Sequence, residues 1–161
     1  MLRIDVHTQI QRPMDEVFAF LADFTHMPLW NYYVRSVTRV TEGPLEAGTI
    51  FDQIRKRDRQ QYVITEFMPD QQVAVQTLPP ARPLTLRFRL APDEKGTRVT
   101  ETWELETGLP GFVERLAQAR VRAAVAVNLA VLTTLLDTGH AQLPDGRGVR
   151  YPVQADITTT S

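Results

Sequence analysis

Along the first ten residues, apolar side chains recur with a period of two. Leu2, Ile4, Val6 and, after a slip at Thr8, Ile10 alternate with polar positions, the pattern of a half-buried strand. The period changes at Arg12-Pro13. Pro13 suits a first helical position, Asp15 and Glu16 suit the positive end of a helix, and Met14, Val17, Phe18 and Leu21 share one face, which predicts a short helix ending near Asp23. Residues 24–33 hold Pro28, Trp30, Tyr32 and Tyr33 and read as a second short helical piece. Strand-like segments then follow at 34–41, 49–57, 62–67, 72–78, 84–90 and 97–106. They are separated by turn chemistry such as Gly43-Pro44, Asp58-Arg59-Gln60, Pro69-Asp70, the proline cluster at 79–83, and 92–96. Short separators imply that consecutive strands pair antiparallel.

The last regular segment is residues 111–138. Breakers precede it (Gly108, Pro110, Gly111), no Gly or Pro interrupts it, and Ala, Leu and Arg dominate it, so it predicts one helix roughly 40 Å long. Its first half is amphipathic, Phe112, Leu116 and Ala119 opposing Glu114, Arg115, Gln118 and Arg122. From Ala123 to Leu136 it is apolar on nearly every face, with Asn128 the main exception, and a helix of that kind must be wrapped. The expected fold class is therefore α+β: a seven-stranded antiparallel sheet curved around a long C-terminal helix, with two short helices after the first strand. Residues 1–139 form one domain in this reading, and 140–161 a polar C-terminal tail.

Composition narrows the functional classes. A chain of 161 residues, 43% hydrophobic, is one globular domain, and a formal net charge of −1 argues against a nucleic-acid partner. With no cysteine, disulfides, thiolate catalysis and cysteine-ligated zinc are excluded. Serine occurs only at Ser36 and Ser161, outside any G-x-S-x-G elbow, and lysine only at Lys56 and Lys95, beside turns. His7, His26 and His140 have no ligand spacing, so no metal is expected, and the absence of a P-loop or G-x-G-x-x-G speaks against a nucleotide cofactor; none is assigned. Arg3 and Asp5 interrupt any signal-peptide core and no run reaches ~18 apolar residues, so a cytoplasmic location without an integral membrane segment is the default.

The order of elements resembles the START-like, or SRPBCC, superfamily of helix-grip proteins, the polyketide cyclase/dehydratase and lipid transport group. The residues that carry the resemblance are I-Q-R-P-M-D-E-V-F-A-F-L-A-D (10–23), Pro28 and Trp30, Gly43-Pro44 with Gly48-Thr49, Pro69, Gly96-Thr97-Arg98-Val99, and the long final helix. It covers about residues 1–138. The resemblance implies a deep hydrophobic cavity between sheet and helix, and members range from ligand carriers to cyclases and chaperone activators.

Candidate site residues follow from parity. Leu84, Leu86, Phe88 and Leu90 alternate with Thr85, Arg87 and Arg89 and face inward, as do Val99, Glu101, Trp103 and Leu105. A carboxylate among apolar neighbours gains a raised pKa, so Glu101 is a candidate general acid or base, unless an arginine pairs it or the strand turns it to solvent. Asn128 can orient a ligand or satisfy itself internally. Trp30, Tyr33, Phe51, Phe88 and Trp103 are candidate cavity walls or plain core. On the third strand, either Phe51, Gln53 and Arg55 or Ile50, Asp52 and Ile54 face in; in the first case Arg55 meets an acidic ligand or Glu101. The run Arg55-Lys56-Arg57-Asp58-Arg59 reads as a solvated hairpin tip. The leading expectation is binding of a small hydrophobic or aromatic metabolite. The rival is a polyketide cyclase/dehydratase-like enzyme using Glu101 in the same cavity. The apolar helix face also has a competing use, as the interface of a homodimer.

Overall fold

The computed structural model describes residues 1–151. Strand β1 (Leu2–Ile10) leads into α1 (Met14–Ala22) and a 3-10 helix (Phe24–Leu29). Then come β2 (Val34–Arg39), β3 (Ile50–Arg55), β4 (Arg59–Met68), β5 (Gln72–Thr77), β6 (Leu84–Asp93), β7 (Gly96–Leu105), α2 (Gly111–Thr138), β8 (His140–Gln142) and β9 (Gly148–Arg150). The first seven strands form one antiparallel sheet in the order β1-β7-β6-β5-β4-β3-β2. The first strand closes the sheet beside the last because Leu2 to Ile10 pair continuously with Leu105 to Thr97. This seven-stranded half-barrel holding a long C-terminal helix is the helix-grip α+β fold that the sequence pattern predicts.

Local chemistry fixes the corners. Pro13 sets the entry to α1 at φ −60°, and Asp23 accepts from Thr25 N (3.1 Å) and Thr25 Oγ1 (2.6 Å) to start the 3-10 helix. The β6–β7 turn needs glycine at position 96. Its φ is +140°, and a Cβ there would lie 2.6 Å from the Ile10 carbonyl oxygen, so this turn and the end of β1 approach as backbone on backbone. Gly139 ends α2 in the left-handed conformation, φ +85°, its N–H donating to Leu135 O.

The two faces of the sheet differ in kind. The convex face carries a ladder of charges: Arg87 donates to both oxygens of Glu66 (3.1 and 3.0 Å) and lies 3.6 Å from Glu104, which also meets Arg3. The concave face carries Ile4, Ile10, Ile64, Val73, Val75, Leu86, Phe88 and Val99, all buried.

Helix α2 is dry along one face only, which differs from the expected wrapping on all sides. Val125, Leu129, Leu132, Leu135 and Leu136 are buried, but Ala123, Ala126 and Ala130 are exposed and Val127 is 44% exposed. The N-terminal half is turned against expectation: Phe112 and Leu116 stand 73% and 67% exposed. Two of its polar residues reach the sheet because β1 is an edge strand whose backbone needs partners. Gln118 donates to Arg3 O and Arg122 to Asp5 O, both at 3.1 Å, and hydroxyls of Thr8 and Thr133 meet at 2.6 Å. By length and hydropathy α2 resembles a membrane span, but in the fold it lies along β1 and over the concave core.

The polar segment after Gly139, expected as a tail, carries structure through Tyr151. β8 and β9 form a hairpin whose turn buries Leu143 against the core, and Tyr151 packs on Phe20 (5.3 Å between rings) beneath the Arg12 guanidinium. Apolar residues there are too sparse to show a period, and the anchor lies in distant side chains. The remainder of the expected tail lies outside the described residues.

Candidate functional site

A cavity of about 610 Å³ opens between α2 and the β3–β7 part of the sheet. Its walls are apolar: Tyr62, Val75, Leu84, Leu86 and Trp103 from the sheet, Val121, Ala124 and Val125 from α2, and Met27 and Val34 from the segment after α1. The helical residues follow from spacing, since 121, 124, 125 and 128 fall on one face. The size and the predominance of apolar wall are those of small-molecule sites.

Polar atoms are few inside it and only partly satisfied. Gln60 Nε2 donates to Gln53 Oε1 (2.7 Å), and Gln53 Nε2 lies 3.2 Å from Met27 Sδ. Asn128, 4% exposed, presents an Oδ1 with no partner, and the buried Tyr62 hydroxyl has none either among the described residues. Burial pushes the Tyr62 phenol well above its ordinary range, so it stays protonated. Leaving such groups unpaired costs roughly 1–3 kcal/mol each, which a guest molecule can recover.

The open end is charged. Arg55 to Asp58, the turn between β3 and β4, and Arg120 on α2 border it together with Asn31 and Tyr33. Arg55 is held by both oxygens of Asp58 at 2.6 Å, and Lys56 Nζ sits 4.5 Å from the Tyr32 ring centroid.

Of the residues singled out from sequence, Tyr33, Arg55, Trp103 and Asn128 border this cavity. Trp30, Phe51 and Phe88 do not. They belong to an aromatic cluster around Phe24 that plugs the other end of the half-barrel, with Phe24–Phe51 at 5.6 Å, Phe24–Phe88 at 6.2 Å and Trp30–Phe88 at 5.9 Å. Parity placed Phe88 on the inner face and left Phe51 open, and inner-face residues divide between packed core and cavity wall according to how far along the strand they lie; Trp30 follows the 3-10 helix and comes to the same cluster from outside the sheet. The parity of β3 is settled: Phe51 and Gln53 are buried inward and Arg55 follows them, while Asp52 faces out and is bound by Arg59.

Glu101 is 2% exposed and takes neither of its plainer options, since no arginine among the described residues pairs it and the strand does not turn it to solvent. Its Oε1 accepts from Trp103 Nε1 at 2.7 Å and its Oε2 has no partner among the described residues. Burial pushes its carboxyl up to about 7 against the opposing pull of the Trp103 hydrogen bond. It is not on the cavity wall. Trp103, two residues along the same face of β7, is.

Sequence reasoning missed Tyr62 and Arg120, and gave Gln53 only as one of two parity alternatives. One signal was available: Arg120, Val121 and Ala124 stand four to eight residues before Asn128 on its own helical face, whereas the pairing of Tyr62 with Phe51 appears only in the structure.

Comparison with known proteins agrees with this geometry. Among solved structures, the Aha1 dimer from Colwellia psychrerythraea is similar at 17% identity, covering 86% of this chain and 98% of that one, with a TM-score of 0.66. DynU16, from the dynemicin biosynthetic locus, is similar at 17% identity over 86% of this chain and 48% of its own, TM-score 0.67. StfQ, a di-domain ARO/CYC protein of the steffimycin biosynthetic pathway, is similar at 12% identity over 84% and 50%, TM-score 0.65. At these identities the likeness establishes the fold. No curated protein matches the chain. The family model for polyketide cyclase / dehydrase and lipid transport matches residues 1–137, nearly the whole described chain, and the protein belongs to that family.

Proposed function

We propose that the protein binds a small hydrophobic or aromatic molecule in the cavity between α2 and the curved sheet. The observation that carries this is an apolar space of about 610 Å³ in which Tyr62 and Asn128 keep buried polar atoms without partners among the described residues. A packed core excludes such space and such atoms. Membership of the family supports the reading, as does the origin of two structural neighbours in the dynemicin locus and the steffimycin pathway. Native mass spectrometry, on the protein as purified and after adding N-phenyl-1-naphthylamine, tests it. A one-to-one complex with a co-purified or added apolar molecule is expected; an unliganded mass in both samples overturns it.

One observation favours an enzyme, a cyclase or dehydratase with Glu101 as acid/base: a buried carboxyl pushed up to about 7 can exchange protons near neutral pH. A substrate would have to reach past Trp103 to meet it. In that reading Glu101→Gln abolishes turnover and leaves affinity within a few-fold, whereas loss of affinity alone identifies a carrier. The exposed Phe112, Leu116 and Val127 along the outer face of α2 favour a second copy of the chain as a further partner. Light scattering across a hundredfold concentration range tests that, a constant monomer mass removing it.

A further inference from the structure

The cavity has two chemically distinct ends, and the outer one has a sign. Four cations border it, Arg55, Lys56, Arg57 and Arg120, against one acid, Asp58. The chain as a whole is at −1, with only two lysines, so this is a local concentration of positive charge. Arg55 and Asp58 neutralise each other through a two-point pair at 2.6 Å. Lys56, Arg57 and Arg120 make no ion pair or side-chain hydrogen bond among the described residues. Lys56 is held over the Tyr32 and Tyr33 rings at 4.5 and 6.0 Å, and Asp145, on which its charge also acts, is engaged by Arg147 at 3.0 Å.

Three uncommitted cations therefore stand where an apolar guest, seated against Leu86, Trp103 and Ala124, must end in solvent. We infer that the ligand is an amphipathic organic anion, its apolar body inside the cavity and its carboxylate or equivalent group at the mouth beside Lys56, Arg57 and Arg120. Deeper in, Asn128 Oδ1 asks for a hydrogen-bond donor on that body, such as a hydroxyl. A purely apolar guest would leave the three charges unused. A guest with the anion reversed would bury it beside Tyr62 and Asn128 without a cation, at a desolvation cost of several kcal/mol. This rests on the binding function proposed above and names the class of its ligand.

A matched pair of probes separates the two claims. N-phenyl-1-naphthylamine and 8-anilinonaphthalene-1-sulfonate share one ring system and differ by a sulfonate. Fluorescence titration at about 20 mM salt is expected to give the sulfonate at least a tenfold lower Kd. The ratio of the two constants should shrink to within about twofold in 1 M NaCl, where charges are screened beyond ~3 Å. It should shrink likewise in the Lys56→Gln/Arg57→Gln/Arg120→Gln variant, and stay at the parent value in Arg98→Gln, whose cation lies on an exposed stretch of β7 away from the cavity. Equal affinities in the parent, or a ratio that survives both salt and the triple substitution, overturn the anionic class and leave the cavity reading in place. Binding of neither probe overturns the cavity reading and this inference with it. The salt series decides the matter even if the triple variant fails to fold.

Discussion

The two ends of the half-barrel are built from the same strands and the same helix, yet one is full and the other is open. On β6, Phe88 closes the full end while Leu84 and Leu86 line the open one; on β3, Phe51 does the first and Gln53 the second. Along α2 the change falls near Asn128. Leu129, Leu132, Leu135 and Leu136 after it are buried in the core, whereas the smaller Val121, Ala124 and Val125 before it line the cavity. The cavity is thus made by the grading of side-chain volume along shared elements, without distortion of the backbone that carries them. Rings at the closed end supply rigidity, and small side chains at the other end leave room.

That contrast can be broken by substitution, and the largest effect belongs to the full end. Phe88→Ala is expected to destabilise by roughly 3–5 kcal/mol, read as a fall in denaturation midpoint, because it opens a void inside a packed ring cluster. Second in size is a pH effect at the boundary between the ends. Glu101 titrates near 7 when folded and at the ordinary 4.5 when unfolded, so the folded state binds the extra proton between those values. Its neutral form is compatible with folding below 4.5, and stability falls as pH rises from there through about 7, by roughly 3 kcal/mol in total. Urea midpoints measured across that window should slope in the parent and flatten in Glu101→Gln, which still accepts from Trp103. Asp5 and Glu66, both held below their ordinary values by Thr102 and Arg87 respectively, act at the acid side of this window and with opposite sign.

Smaller effects belong to the open end. Leu86→Ala enlarges a space that already exists and should cost about 2 kcal/mol, near the bottom of the range for such truncations, while Leu132→Ala in the full half should cost up to about 5. Equal losses at the two positions would mean that the cavity collapses or is filled by the protein itself. Smallest of all, Asn128→Leu should not destabilise and should gain about 1 kcal/mol, the low end of the cost of an unpaired group, since it removes an oxygen without a partner among the described residues, while lowering affinity for a hydroxyl-bearing guest.

The elements were legible because each has a local signature. α2 begins after Pro110 and stops at Gly139, and the alternation in β1, β6 and β7 assigns inward faces without reference to anything distant. The third strand was ambiguous because Ile50, Phe51 and Ile54 supply apolar side chains to both faces; only pairing with Tyr62 on β4 orders them. The orientation of the first half of α2 was hidden for a related reason. Gln118 and Arg122 read as solvent-facing until the unpaired edge of β1 is placed beside them. A cavity has no local signature at all, since it is a volume that distant residues fail to fill. For that reason Trp103 and Asn128 could be named from the sequence, whereas the separation of Trp30, Phe51 and Phe88 from them could not.

The central claim, that the open end is space for a guest, is tested most directly by filling it. Fluorescence titration of N-phenyl-1-naphthylamine into the parent and into Ala124→Trp, with thermal melts of both, is the measurement. The parent should saturate at one equivalent, and the variant should stay folded and bind at least tenfold more weakly, because the indole occupies the space between Val121 and Trp103. Identical saturation of both proteins, or no binding by the parent, would contradict the account.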